Sequence, residues 1–137
     1  MLQLKKIDHL GVAVSDLNQS IATYRDKLGM EFQGVEEVPS QMVRTAFFQV
    51  GDVHVELLEP TSPESPIAKH LEKRGEGLHH IAYEVDDIRA ALAEAKELGL
   101  QPLSEEPRPG AHNTLVCFLH PKMTGKVLTE LVEHTAK

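Results

Sequence analysis

The stretch Asp8-His9-Leu10-Gly11-Val12-Ala13-Val14-Ser15-Asp16-Leu17 returns, 71 residues further on, as His79-His80-Ile81-Ala82-Tyr83-Glu84-Val85-Asp86-Asp87-Ile88. His9 falls on His80, Val14 on Val85, Asp16 on Asp87 and Leu17 on Ile88, and the same offset carries Ile21 to Leu92. A repeat at a nearly fixed offset marks one structural unit built twice. The ends of the two halves agree as well. Val53-His54-Val55-Glu56-Leu57-Leu58-Glu59 matches Val127-Leu128-Thr129-Glu130-Leu131-Val132-Glu133 at an offset of 74, so small loop insertions separate the copies.

Working outward from the repeat gives the elements. Leu10, Val12 and Val14 alternate as a strand does. Ser15 or Asp16 can cap the helix that follows, and Leu17, Ile21, Tyr24 and Leu28 keep helical spacing up to Gly29, which suits a C-terminal cap. In the second copy Asp86 or Asp87 caps, Ile88, Ala91, Leu92, Ala95 and Leu98 form the stripe, and Gly99 closes it. Strands near 31–36, 43–50 and 53–59 complete the first copy, and strands near 101–104, 114–120 and 127–133 the second. The expected fold is α+β, with two repeated βαβββ modules. Module one covers about 5–59 and module two about 77–134. Between them lies a linker, 60–76, that opens on Pro60-Thr61-Ser62-Pro63-Glu64-Ser65-Pro66 and holds a short helix from Ile67 to Lys73. Neither half is large enough to bury a stable core alone, so residues 1–137 are expected to form a single domain.

The composition narrows the function. A formal charge of −7 argues against nucleic acid or an anionic membrane as the main partner, although a small anion can still meet a local basic pocket. The lone Cys117 excludes an intramolecular disulfide. Met1 to Lys6 carries no apolar leader and no 18-residue apolar run exists, which makes the cytosol the expected compartment.

Four residues capable of metal or proton chemistry occupy matched places: His9 and His80 on the first strands, Glu56 and Glu130 on the last. Taken singly, such residues are ordinary surface side chains. Matched across a repeat, two imidazoles and two carboxylates suit a borderline divalent ion such as Co2+, Ni2+, Mn2+ or Zn2+. They converge if the first and last strands of each module are neighbours.

The segments Asp8-His9-Leu10-Gly11-Val12-Ala13-Val14, Glu56-Leu57-Leu58-Glu59-Pro60, Ser65-Pro66-Ile67-Ala68-Lys69, Gly77-Leu78-His79-His80-Ile81-Ala82, Gly110-Ala111-His112 and Phe118-Leu119-His120-Pro121-Lys122 carry a resemblance, as do Glu105-Glu106-Pro107 and Val127-Leu128-Thr129-Glu130-Leu131. Together they resemble the vicinal oxygen chelate, or glyoxalase-like, superfamily, and within it the methylmalonyl-CoA epimerases, over nearly the whole chain. The resemblance implies an acyl-CoA substrate and an isomerase that moves a proton at C2 through a metal-stabilised enolate. It implies a divalent metal, Co2+ foremost, held by His9, His80 and Glu130, with Glu56 as the fourth ligand where some members carry Gln. Glu130 and Glu56 are the expected catalytic carboxylates. Some epimerases have a further Glu on the strand near Thr45, proposed as one of two bases; here that place holds Thr45. His112 and Lys122 are candidates for contact with the acyl-CoA, against the plainer reading of loop residues. His54, His70 and His134 read as solvated, and His79 as supporting rather than ligating. Pairing of related proteins implies a homodimer. The alternatives are a glyoxalase-type isomerase or thiol transferase with the same ligand set, a metal-free ligand-binding protein on this fold, and a structural dimerisation module.

Overall fold

The computed structural model of the protein describes residues 1–135. Its contacts divide the chain into two compact units. One runs from His9 to His79; the other combines Met1–Asp8 with the residues from His80 onward.

The first unit contains most of β1 (Lys6–Ala13), then α1 (Leu17–Ala22), β2 (Glu31–Val38), β3 (Val43–Val50), β4 (Val53–Pro60) and α2 (Pro66–Arg74). Its strands lie in the order β2-β3-β4-β1. β1 runs parallel to β4, while the β2–β3 and β3–β4 pairs are antiparallel. The second unit repeats the plan with β5 (Gly77–Glu84), α3 (Ile88–Glu97), β6 (Arg108–Pro109), β7 (Thr114–Leu119) and β8 (Leu128–His134), in the order β5-β8-β7-β6, with β5 parallel to β8. A parallel pair needs a long crossover, and each module threads its helix and two strands between the paired first and last strands.

The helix starts are built alike. Asp16 Oδ1 accepts from the Gln19 N–H at 3.1 Å, and Asp87 Oδ1 from the Ala90 N–H at 3.1 Å. A second carboxylate reaches each start from the last strand. Glu59 Oε2 accepts from the Leu17 N–H at 2.8 Å, and Glu133 Oε1 from the Ile88 N–H at 2.9 Å. Anionic acceptors at a helix N-terminus satisfy its orphan donors and oppose its dipole. The helices cover one face of each sheet. Leu17 and Ile21 pack with Val14, Ala46, Phe48, Val55 and Leu57, and the Phe48 ring meets Tyr24 and Phe32 at 5.8 and 5.4 Å. Ile88, Leu92 and Ala95 pack with Val85, Cys117, Leu119 and Leu131.

Several expectations about boundaries need correction. The first helix is α-helical only to Ala22 and continues as a π-helical turn over Thr23–Lys27. Leu28 and Leu98, counted in the apolar stripes, are 60% and 53% exposed. Each sits in the last turn before a glycine of positive φ, Gly29 (74°) or Gly99 (87°), where the chain turns away from the core. No strand forms at 101–104. Pro102 makes only an isolated bridge to Leu119, and the edge strand is the two-residue Arg108–Pro109. Pro102 has no N–H to extend the pairing that Gln101 and Leu103 make with β7, and Pro107 and Pro109 bound or end the short edge strand. The first residues join the second module: the Lys5 N–H donates to the Glu84 carbonyl at 2.9 Å, and Leu2 packs against the α3 core. Among the described residues, no helix is long and apolar enough to cross a membrane.

Candidate functional site

In a sheet with one face under a helix, residues of the other parity face away from it. In the first unit the parallel register sets His9 beside His54, Gly11 beside Glu56 and Ala13 beside Leu58, while Val12 and Leu57 lie on the helix side. His9 and Glu56 therefore share the face away from α1. His9 Nδ1 lies 3.3 Å from Glu56 Oε2, with side chains 7% and 16% exposed. The second unit has the same register. His80 stands beside Leu128 and Ala82 beside Glu130, so each histidine is paired two residues before the glutamate. His80 Nε2 lies 3.2 Å from Glu130 Oε1, with side chains 5% and 4% exposed. The Phe118 ring, opposite Glu130 in the β7–β8 register, meets His80 edge-on at 5.3 Å.

The condition stated from the repeat, that first and last strands be neighbours, holds in both modules. Each contributes one His–Glu pair, buried at both members in the second module and with Glu56 half-buried in the first. Two donors about 2.1 Å from one ion stand about 3.0 Å apart at octahedral angles and about 3.4 Å apart at tetrahedral ones. Both observed separations fall in that interval, and imidazole with carboxylate is an apt donor set for a borderline divalent cation. A buried carboxylate without a cation or a charged partner is costly.

Thr45 is 2% exposed and pairs with Leu58 on one side and Glu36 on the other, so it lies on the Glu56 face. His112 is exposed in a loop and has a φ of 55°. Lys122 is exposed in the turn Pro121–Met123, and its N–H donates to His120 Nδ1 at 3.0 Å.

Two histidines read as solvated, His134 and His70, make contacts within the fold. His134 Nε2 meets the buried Asp8 carboxylate at 2.6 Å, with Glu84 close enough to form a three-residue cluster. His70 is half-buried and packs edge-on against His79 at 5.0 Å. Burial, and secondarily the nearby Arg74 charge, lower the His70 pKa from the usual imidazole value. No local motif announces these contacts, since Asp8 and His134 are 126 residues apart.

A family model described as the Glyoxalase/Bleomycin resistance protein/Dioxygenase superfamily matches residues 8–118. The ethylmalonyl-CoA/methylmalonyl-CoA epimerase of Cereibacter sphaeroides is 43% identical over 128 residues, 92% of this chain and 96% of that protein. The mitochondrial methylmalonyl-CoA epimerase of Mus musculus is 41% identical over 130 residues, 94% of this chain and 73% of that one. A solved methylmalonyl-CoA epimerase in complex with methylmalonyl-CoA and NH4+ superposes with a TM-score of 0.94 at 39% identity, covering 98% of this chain and 97% of the other. With two repeated modules, a His–Glu pair in each and these relatives along almost its whole length, the chain belongs to the glyoxalase-like superfamily and, within it, to the methylmalonyl-CoA epimerases.

Proposed function

We propose that this protein interconverts the two C2 epimers of methylmalonyl-CoA. The observation that carries the reading is the two His–Glu contacts in identical register, in a chain of this family. The C2 hydrogen lies between a thioester and a carboxylate, so its removal leaves charge on an enolate oxygen. His9, Glu56, His80 and Glu130 would hold one divalent ion per chain, Co2+ foremost, with Ni2+, Mn2+ and Zn2+ as alternatives. Bound there, the ion supplies positive charge where enolate charge develops.

The remaining work falls to the protein's own carboxylates. Epimerisation takes a proton from one face of C2 and returns one to the other, so each face needs a carrier. Glu130, nearly fully buried, carries the proton from the second module's side. Glu56, the first-module equivalent, is the proposed fourth ligand, and its amide variant tests whether it also serves the other face. His112 and Lys122 would meet the polar parts of the acyl-CoA. The activity is tested by incubating the metal-loaded protein with either epimer in heavy water. Deuterium should enter C2 and the epimers should equilibrate, while elemental analysis finds one divalent ion per chain. Preferential turnover of a hemithioacetal over the CoA ester would replace this reading with a glyoxalase-type one.

Glu56→Gln separates ligand from base. The amide oxygen still reaches an ion, so we expect metal content to hold and epimerisation to fall about tenfold or less. Collapse of activity with the ion retained would assign Glu56 the second proton transfer instead.

We also propose a homodimer, because closed two-fold pairing is the commonest way such small modules cover exposed apolar side chains, here including Leu78, Leu103 and Met123. Sedimentation at micromolar concentration should give twice the 15.2 kDa chain mass; a stable monomer would refute it.

A further inference from the structure

The antiparallel register of β2 and β3 shifts between Phe32 and Gly34, so Gln33 is an extra residue in β2. Phe32 pairs with Phe48 and packs in the α1 core, which places it on the helix face. Without the shift, Gly34, Glu36 and Val38 would share its parity and lie under the helix. With it, Gly34 pairs with Phe47, Glu36 with Thr45 and Val38 with Val43. Phe47 and Thr45 in turn pair with Glu56 and Leu58 on β4. The bulge therefore turns Glu36 onto the face that carries His9 and Glu56. Bulges are recurrent devices for re-aiming a side chain beside a site.

The surroundings make this a carboxylate placed with purpose. Val38, Val43, Thr45, Phe47 and Leu58 on the same face are all buried, and Glu36 is half-buried among these positions. The face carries one other glutamate on β2, Glu31, which is exposed and lies before the bulge. By strand geometry the Cα atoms of Glu36 and Glu56 stand about 12 Å apart, two interstrand spacings across and two residues along. A glutamate side chain at Glu36 can therefore reach over the same face toward a small acyl group held at Glu56. The repeat does not duplicate the feature. In the second module the equivalent edge position, opposite Val116, holds Arg108.

The geometry points to Glu36 as the proton carrier for the face of C2 turned toward β2 and β3, with Glu56 kept as a ligand; this rests on the epimerase reading above. Glu36 lies one strand beyond Thr45 and outside the proposed ligand set, so a proton transfer through it leaves the four ligands in place. In the forward step the C2–H bond breaks, its electron pair enters the enolate and the proton passes to the Glu36 carboxylate. A proton from the Glu130 carboxyl then adds to the opposite face of C2. Exchange with water deprotonates Glu36 and reprotonates Glu130, and the reverse reaction runs the same steps backward.

The test is Glu36→Gln in the metal-loaded protein, with C2 deuterium uptake from heavy water followed separately for each epimer. The expected result is one-sided. Uptake from the epimer whose hydrogen faces Glu36 falls on the order of 100-fold or more. Uptake from the other stays within a few-fold of native, epimerisation is lost in both directions, and metal content is unchanged. A merely structural role would depress both epimers together, and that outcome overturns the proposal. So does native exchange from both, which returns the second transfer to Glu56. A rescue variant guards against misfolding: adding Thr45→Glu to Glu36→Gln sets a carboxylate one strand closer on the same face and should restore the missing exchange; failure to restore it counts against the proposal. If the unaltered protein exchanges neither epimer, the epimerase reading itself falls.

Discussion

Glu130→Gln should lower epimerisation on the order of 100-fold or more, the scale for losing general acid–base help at a reacting carbon. Gln keeps the size of the side chain and removes its basicity. Glu130 is 3% exposed on β8, 3.2 Å from His80 and opposite Phe118 across the β7–β8 register. An isosteric change there leaves the packing intact, so the loss reports chemistry rather than unfolding. Metal content measured on the same sample separates the two roles proposed for Glu130. An ion retained with exchange lost from the epimer facing Glu130 marks a proton carrier; an ion lost along with activity marks a ligand. Full exchange and full epimerisation with normal metal content would remove Glu130 from the mechanism.

His80→Ala should abolish metal binding, and activity with it. Removing the ring takes away a nitrogen donor and leaves Glu130 facing a void beside Phe118, with no way to rebuild the missing ligand. A ligand that binds only the folded state stabilises it by mass action, about 2.7 kcal/mol at a hundred times its dissociation constant. For a domain of this size that is a melting shift on the order of 10 °C. Added divalent metal should raise the melting temperature of the native protein and leave that of His80→Ala where it was. Circular dichroism should show both folded without metal, because the α3 core of Ile88, Leu92, Cys117 and Leu131 does not include His80. An unchanged metal-to-protein ratio in the variant would end the proposed ligand set.

The helix starts show what can be read locally. Asp16 and Asp87 cap as their position before Leu17 and Ile88 suggests, because an N-cap needs only an acceptor three residues before a free N–H. The failures are just as local in cause. Leu28 and Leu98 fit the helical period yet lie exposed, because the left-handed glycines that follow lead the chain off the core before the stripe is complete. The strand expected at 101–104 shrinks to an isolated bridge at Pro102, which has no N–H to extend the ladder.

The sequence by itself determined the doubled βαβββ plan and the matched placing of His9 with His80 and of Glu56 with Glu130, since a repeat exposes matched chemistry even where no spacing motif exists. Tertiary structure alone decided that each histidine lies two residues out of step with its glutamate across a parallel pair, which brings their donor atoms to 3.3 and 3.2 Å. It alone decided that Met1–Asp8 joins the second module, that Asp8 meets His134, and that an extra residue at Gln33 rotates Glu36 onto the face of Glu56. The physical reason is the same in each case. Periodicity and capping are settled within a few residues, whereas strand register is a choice among long-range pairings, and a shift of one residue sends every later side chain to the opposite face.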